Sequence, residues 1–190
     1  LPLFSAISGS LAIIPLYLLI QRLVGWPYAL AGGILFIANP LVWSHSETAL
    51  SDVPSMALVI LALWLTVSGR SNRTAFVSSF VVMSLAIGVR LSNLPLALVL
   101  YVPLLENVVK SRTVNWPLWY SGTLFFAITT LAWLVPMVLF AGGGIEQYLG
   151  TVHKQWATAV QPTGIYIPDP AAAITTIVRI ERFVIGYFIT

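Results

Sequence analysis

The chain has 190 residues, 58% of them hydrophobic and 8% charged, with a net charge of +3 at pH 7. A water-soluble domain carries about a quarter of its residues charged, so most of this surface is expected to face lipid, and the chain reads as an integral membrane protein. The nine basic residues are scattered singly or in pairs, which sets nucleic acid aside, and the absence of cysteine excludes disulfides, thiolate catalysis and Cys-based zinc sites.

In chain order, four stretches are long and apolar enough to be read as membrane spans: residues 3–20, 28–43, 53–68 and 118–141. Gly25-Trp26-Pro27 and Asn39-Pro40 bracket the second, Pro54 falls in the first turn of the third, and Gly142-Gly143-Gly144 ends the fourth. Trp26, Tyr28, Trp43, Trp116, Trp119 and Tyr120 lie near the predicted ends, where interfacial aromatics collect. The chain opens Leu1-Pro2 without a basic leader and ends in an apolar stretch, so it is expected to be an internal piece of a longer protein.

Residues 75–105 admit two topologies. A continuous helix there would run to about 46 Å, too long for one untilted span, and Arg90-Leu91-Ser92-Asn93-Leu94-Pro95 supplies a break. If the stretch crosses once, Arg22, Arg70, Arg73 and Lys154 share one side, with Lys110 and Arg112 opposite. If it turns back at Arg90, then Arg22, Arg70, Arg73, Lys110 and Arg112 gather on one side, as the positive-inside rule favours. The other side then holds Glu47, Asp52, Arg90 and the gap over residues 142–171. Within that gap, Ile145, Tyr148, Leu149, Val152, Trp156 and Val160 recur at helical spacing, as in an amphipathic helix lying in the interface. Residues 171–190 are a further interfacial helix or the entry to another span.

The first half of the chain has only two acids, Glu47 and Asp52, both within the gap 44–52, with His45 beside them. Asp52 or Ser51 can cap the helix that follows; the carboxylate can also orient a sugar hydroxyl, hold a divalent metal, or act as a general base. Glu47 and His45 are weaker candidates, and the three together have no zinc-ligand spacing. Arg90 has two readings: a structural ion pair with Asp52 or Glu47, or a guanidinium that grips a phosphate bidentately. Arg179 and Arg182, three apart on one helical face, can serve a phosphate or simply anchor at the interface, and Lys154 and Tyr148 are weaker again.

Three groups of residues together resemble the polytopic glycosyltransferases of the GT-C superfamily, in the branch similar to protein mannosyltransferases and the aminoarabinose transferase. They are Asn39-Pro40 and the gap from Ser44 to Pro54, the basic Arg70 and Arg73, and the run Ala86-Ile87-Gly88-Val89-Arg90-Leu91-Ser92-Asn93-Leu94-Pro95. That run looks like the family's Gly-x-x-x-(basic)-x-x-Pro region, with Arg where Lys is common and the Pro displaced. The resemblance implies transfer of a sugar from a polyprenyl-phosphate donor to an acceptor on the extracytoplasmic face. It makes Asp52 a second acidic residue at a cavity-lining helix and Arg90 a basic residue near the lipid phosphate. The family's catalytic acidic loop would precede Leu1.

The expected architecture is an all-α polytopic transmembrane bundle forming one domain over residues 1–190, with an extracytoplasmic loop at 142–171 that carries an interfacial helix. It has about six crossing helices, two of them short and joined at Arg90, and resides in the plasma membrane among its lipids. The expected function is membrane glycosyl transfer, with Asp52 and Glu47 catalytic and Arg90, His45, Arg179 and Arg182 binding substrate. The rival readings are a secondary transporter or lipid-carrier translocator, whose ionisable groups should sit at mid-membrane, and a non-catalytic subunit.

Overall fold

A computed structural model describes residues 2–40, 42, 51–69, 72–110, 113–140 and 144–163. All regular elements among them are helical: α1 (Pro2–Leu23), α2 (Trp26–Ala38), α3 (Asp52–Ser68), α4 (Arg73–Val89), a 3-10 helix (Leu91–Tyr101), α5 (Val102–Val109), α6 (Trp116–Phe140) and α7 (Gly144–Thr163). Contacts divide the chain into two units, residues 1–134 and 135–190, with the boundary inside α6 one residue before Pro136. Three helices are long and apolar enough to cross a membrane: Leu3–Leu23, Leu91–Val109 and Trp116–Phe140.

The second expected span is shorter than its apolar run. α2 ends at Ala38, because Asn39 takes an extended conformation ahead of Pro40, leaving 13 residues or about 20 Å of helix. It lies close to α1 at Gly32, where a Cβ would fall 2.5 Å from Cδ1 of Ile20.

In the first unit, α3, α4, the 3-10/α5 segment and α6 alternate in direction. Gly69, just past α3, lies against Phe76 near the start of α4, while Ser55 near the start of α3 bonds to Ala86 near the end of α4. After Arg90 the chain turns back along α4: Asn93 reaches Ala86, and the Tyr101 ring lies 5.7 Å from Phe80. α6 then runs up beside α4, with Trp119 4.7 Å from Phe76 and Trp133 bonded to Ser84.

The turn at Arg90 agrees with the double-back reading, but the two arms are unequal. α4 has 17 residues, about 25 Å of helix. The second arm is longer than its residue count suggests, because 11 residues are wound as 3-10 helix at about 2.0 Å per residue and eight follow as α-helix, roughly 34 Å in all. Pro95 is the local reason. It has no N–H to close an α-helical turn, and it biases Leu94 away from the α region.

The core of this unit is built mainly from α4. Phe76, Phe80, Met83, Ala86 and Ile87 pack with Val59 and Ala62 of α3, Leu100 of the 3-10 helix, and Trp119. Trp119 is thus a core residue rather than an interfacial anchor: its ring meets Phe76 and Phe80 edge-on and stacks on Tyr101 at 5.7 Å. Trp26, Tyr28, Trp116 and Tyr120 are exposed, as expected of the interfacial group, and Trp43 lies outside the described residues. Two buried hydroxyls are satisfied within their own helix, Thr66 Oγ1 donating to the Ala62 carbonyl at 2.8 Å and Ser79 Oγ to that of Phe76 at 2.6 Å, while those of Ser55 and Ser84 bond to other helices.

In the second unit, α7 has the strongly amphipathic sequence the spacing predicted, in contrast to the apolar α1 and α6. Ile145 and Leu149 are exposed on it, and Tyr148 is buried.

Candidate functional site

One end of the first unit carries both sharp candidates. Asp52 opens α3 and Arg90 occupies the turn between α4 and the 3-10 helix, and their side chains meet in an ion pair, Nη1 to Oδ1. Of the two candidate caps for α3, Ser51 holds the cap position and Asp52 is the first helical residue. Ser51 stands at the cap without a side-chain bond, and the Asp52 carboxylate is committed to the guanidinium. From the first turn it still opposes the positive end of the helix dipole.

Arg90 is positioned by its backbone. Its φ of −152° and ψ of 109° are extended, its N–H ends α4 by donating to the Ala86 carbonyl at 3.0 Å, and its own carbonyl accepts from the Asn93 N–H at 3.1 Å. The pair is neither buried nor fully solvated: the Arg90 side chain is 44% exposed and that of Asp52 35%. A guanidinium has five N–H donors in a plane, so one held by a carboxylate on one edge can still present donors to an oxyanion on another.

Two residues that sequence reasoning missed join this end. Ser55, one turn into α3 from Asp52, donates to the Ala86 carbonyl at 3.3 Å, and Asn93, three residues after Arg90, donates from Nδ2 to both Ser55 Oγ and that carbonyl. The sequence gives only a faint signal: Ser55 stands three residues beyond Asp52 on one face of α3, whereas Arg90 is extended and no helical spacing links it to Asn93.

Of the other candidates, Glu47, His45, Arg179 and Arg182 lie outside the described residues. Lys154 and Tyr148 are in α7, in the second unit. No cluster of three or more His, Asp or Glu side chains able to hold a metal occurs among the described residues.

At the opposite end of the first unit, a cavity of about 350 Å³ is lined by residues that include Gly69, Phe76, Glu106, Asn115 and Trp119, and by none of the candidates. Arg73 begins α4 and Lys110 follows α5 at this end, Lys110 bonding Glu106 at 2.7 Å. Each end therefore carries an ion pair, Asp52–Arg90 at one and Glu106–Lys110 at the other, with Arg73 a further cation at the second.

No family model, curated protein or solved structure matches this chain.

Proposed function

We propose that the chain is part of a plasma-membrane glycosyltransferase that takes sugar from a polyprenyl-phosphate donor, with Arg90 holding the donor phosphate and Asp52 orienting it. The observation that carries this reading is the half-exposed Asp52–Arg90 pair at the tip of a broken helical hairpin, at one end of an apolar bundle. At such a tip a cation is cheaper to place than at mid-bilayer and can face an anionic headgroup lying at the membrane surface. A lipid-linked donor has its phosphate at that level and its chain among the surrounding lipids. Asp52 keeps the guanidinium oriented when no donor is bound and can accept a sugar hydroxyl once phosphate oxygens occupy the guanidinium.

The same reading counts about six crossings, with α2, α3 and α4 spanning as short helices beside the three longer ones. A translocator would place its ionisable pair midway along facing helices; this pair lies at helix ends.

The test measures sugar transfer from polyprenyl-phosphate sugars by the full-length chain in detergent, with thermal unfolding of every variant in parallel. Arg90→Ala is expected to impair transfer severely and Arg90→Lys less, because an ammonium keeps the charge but loses the planar fork. Asp52→Asn should impair transfer while the protein stays folded. If Arg90→Ala and Asp52→Asn unfold the protein, or leave transfer unchanged, the pair is structural and the proposal fails.

A further inference from the structure

We propose that Asn93 is a positioning residue, whose carboxamide sets the register of α3 against the Arg90 turn and so holds the guanidinium over Asp52. Its Nδ2 group donates to Ser55 Oγ on α3 and, at 3.3 Å, to the Ala86 carbonyl on α4, while its own backbone N–H donates to the Arg90 carbonyl at 3.1 Å. The Ala86 carbonyl also accepts from the Ser55 hydroxyl at 3.3 Å and from the Arg90 N–H at 3.0 Å. Three elements are thereby tied at one carbonyl, one helical turn from Asp52 along α3 and one turn from Arg90 along α4.

The chemistry of the knot explains why a carboxamide stands there. A hydroxyl has a single proton to give, whereas the Asn NH2 has two, and here it serves an oxygen on each of two helices. Ser55 is 1% exposed, so on its side water is a poor substitute if these bonds are cut. Arg90 sits between helices in extended backbone, and its long side chain has many rotamers. Without Asn93, the start of the 3-10 helix loses its side-chain tie to α3, and the guanidinium is free to sample positions away from the carboxylate. In relation to a donor phosphate the inference rests on the proposed function; in relation to the ion pair it does not.

The experiment is a double-mutant cycle in the full-length chain. Asp52→Asn and Arg90→Gln are made singly and together, in the presence of Asn93 and in an Asn93→Ala background, and each melting temperature is read in detergent. The non-additive part of the shift should be present with Asn93 and fall by about half or more in the Asn93→Ala background. A merely structural Asn93 would lower all four melting temperatures together and leave the non-additive part unchanged, which overturns the inference. If Asn93→Ala does not yield folded protein, Ser55→Ala is used instead, since it removes one of the two side-chain ties; a coupling unchanged in that background overturns the inference equally. Polyprenyl phosphate added to the wild-type chain separates the two levels. No stabilisation by it rejects the phosphate reading, while the cycle still decides the role of Asn93.

Discussion

Gly69 decides how closely α3 and α4 approach, and replacing it tests the packing that brings Asp52 opposite Arg90. A Cβ built on Gly69 falls 2.7 Å from both Cα and Cβ of Phe76 and 2.9 Å from its backbone nitrogen. Those atoms belong to the backbone of α4 or adjoin it, so no rotamer change relieves the overlap. The conformation itself is no obstacle, because Gly69 has a φ of −65°, which alanine adopts readily. Steric overlap of this kind costs about 1–3 kcal/mol, against a gain of at most about 1 kcal/mol from replacing a helix-terminal glycine. Gly69→Ala is therefore expected to destabilise by about 1–2 kcal/mol, lowering the melting temperature by roughly 2–8 °C for a chain of this size. Gly150→Ala in α7 is the matched control: its Cβ meets nothing within 4 Å, so it should be neutral or slightly stabilising. Both are read by thermal unfolding in one detergent. A Gly69→Ala protein as stable as wild type would mean that α3 and α4 do not approach as described.

Two further outcomes follow from the same packing. Phe80, fully buried among Phe76, Tyr101 and Trp119, should on replacement by alanine cost about 3–5 kcal/mol, measured by thermal or denaturant unfolding. Single cysteines at Arg73 and Lys110 should react with an impermeant reagent from the side opposite to a cysteine at Arg90, and reaction of all three from one side would exclude the turn at Arg90.

What could be read in the sequence were the features that chain-local chemistry dictates. Pro95 and the polar run before it announced the break at Arg90, and the distribution of basic residues favoured a chain that doubles back there over one that crosses once. The amphipathic spacing of α7 was equally local. Three features were missed, the first and the last because each depends on a partner far along the chain. Trp119 looked like its interfacial neighbours Trp116 and Tyr120, and only the arrival of Phe76, Phe80 and Tyr101 from other helices makes it core. The 3-10 winding of Leu91–Tyr101 lengthens the second arm in a way residue counting misses. Asn93 and Ser55 read as ordinary polar residues until the Ala86 carbonyl stands between them.

The Asp52–Arg90 contact was foreseen as the structural alternative to a phosphate site, so its presence alone favours neither reading; the energetics separate them. Exposed ion pairs contribute about 0.2–1 kcal/mol, and this pair, with both side chains exposed by a third or more, lies nearer that limit than the buried one. Against that small gain stands the cost of placing an arginine next to an apolar bundle, about 2.5–3.5 kcal/mol at mid-bilayer and less at a helix tip. Two apolar side chains at positions 52 and 90 would close the hairpin with no charge to desolvate, as apolar replacements do in buried ion pairs elsewhere. Stability is thus a weak reason for this pair. A guanidinium paired with a carboxylate, 44% exposed, in a turn whose backbone Asn93 bonds, is better suited to meeting a second anion. That is why Arg90 and Asp52 are where the search for substrate should begin.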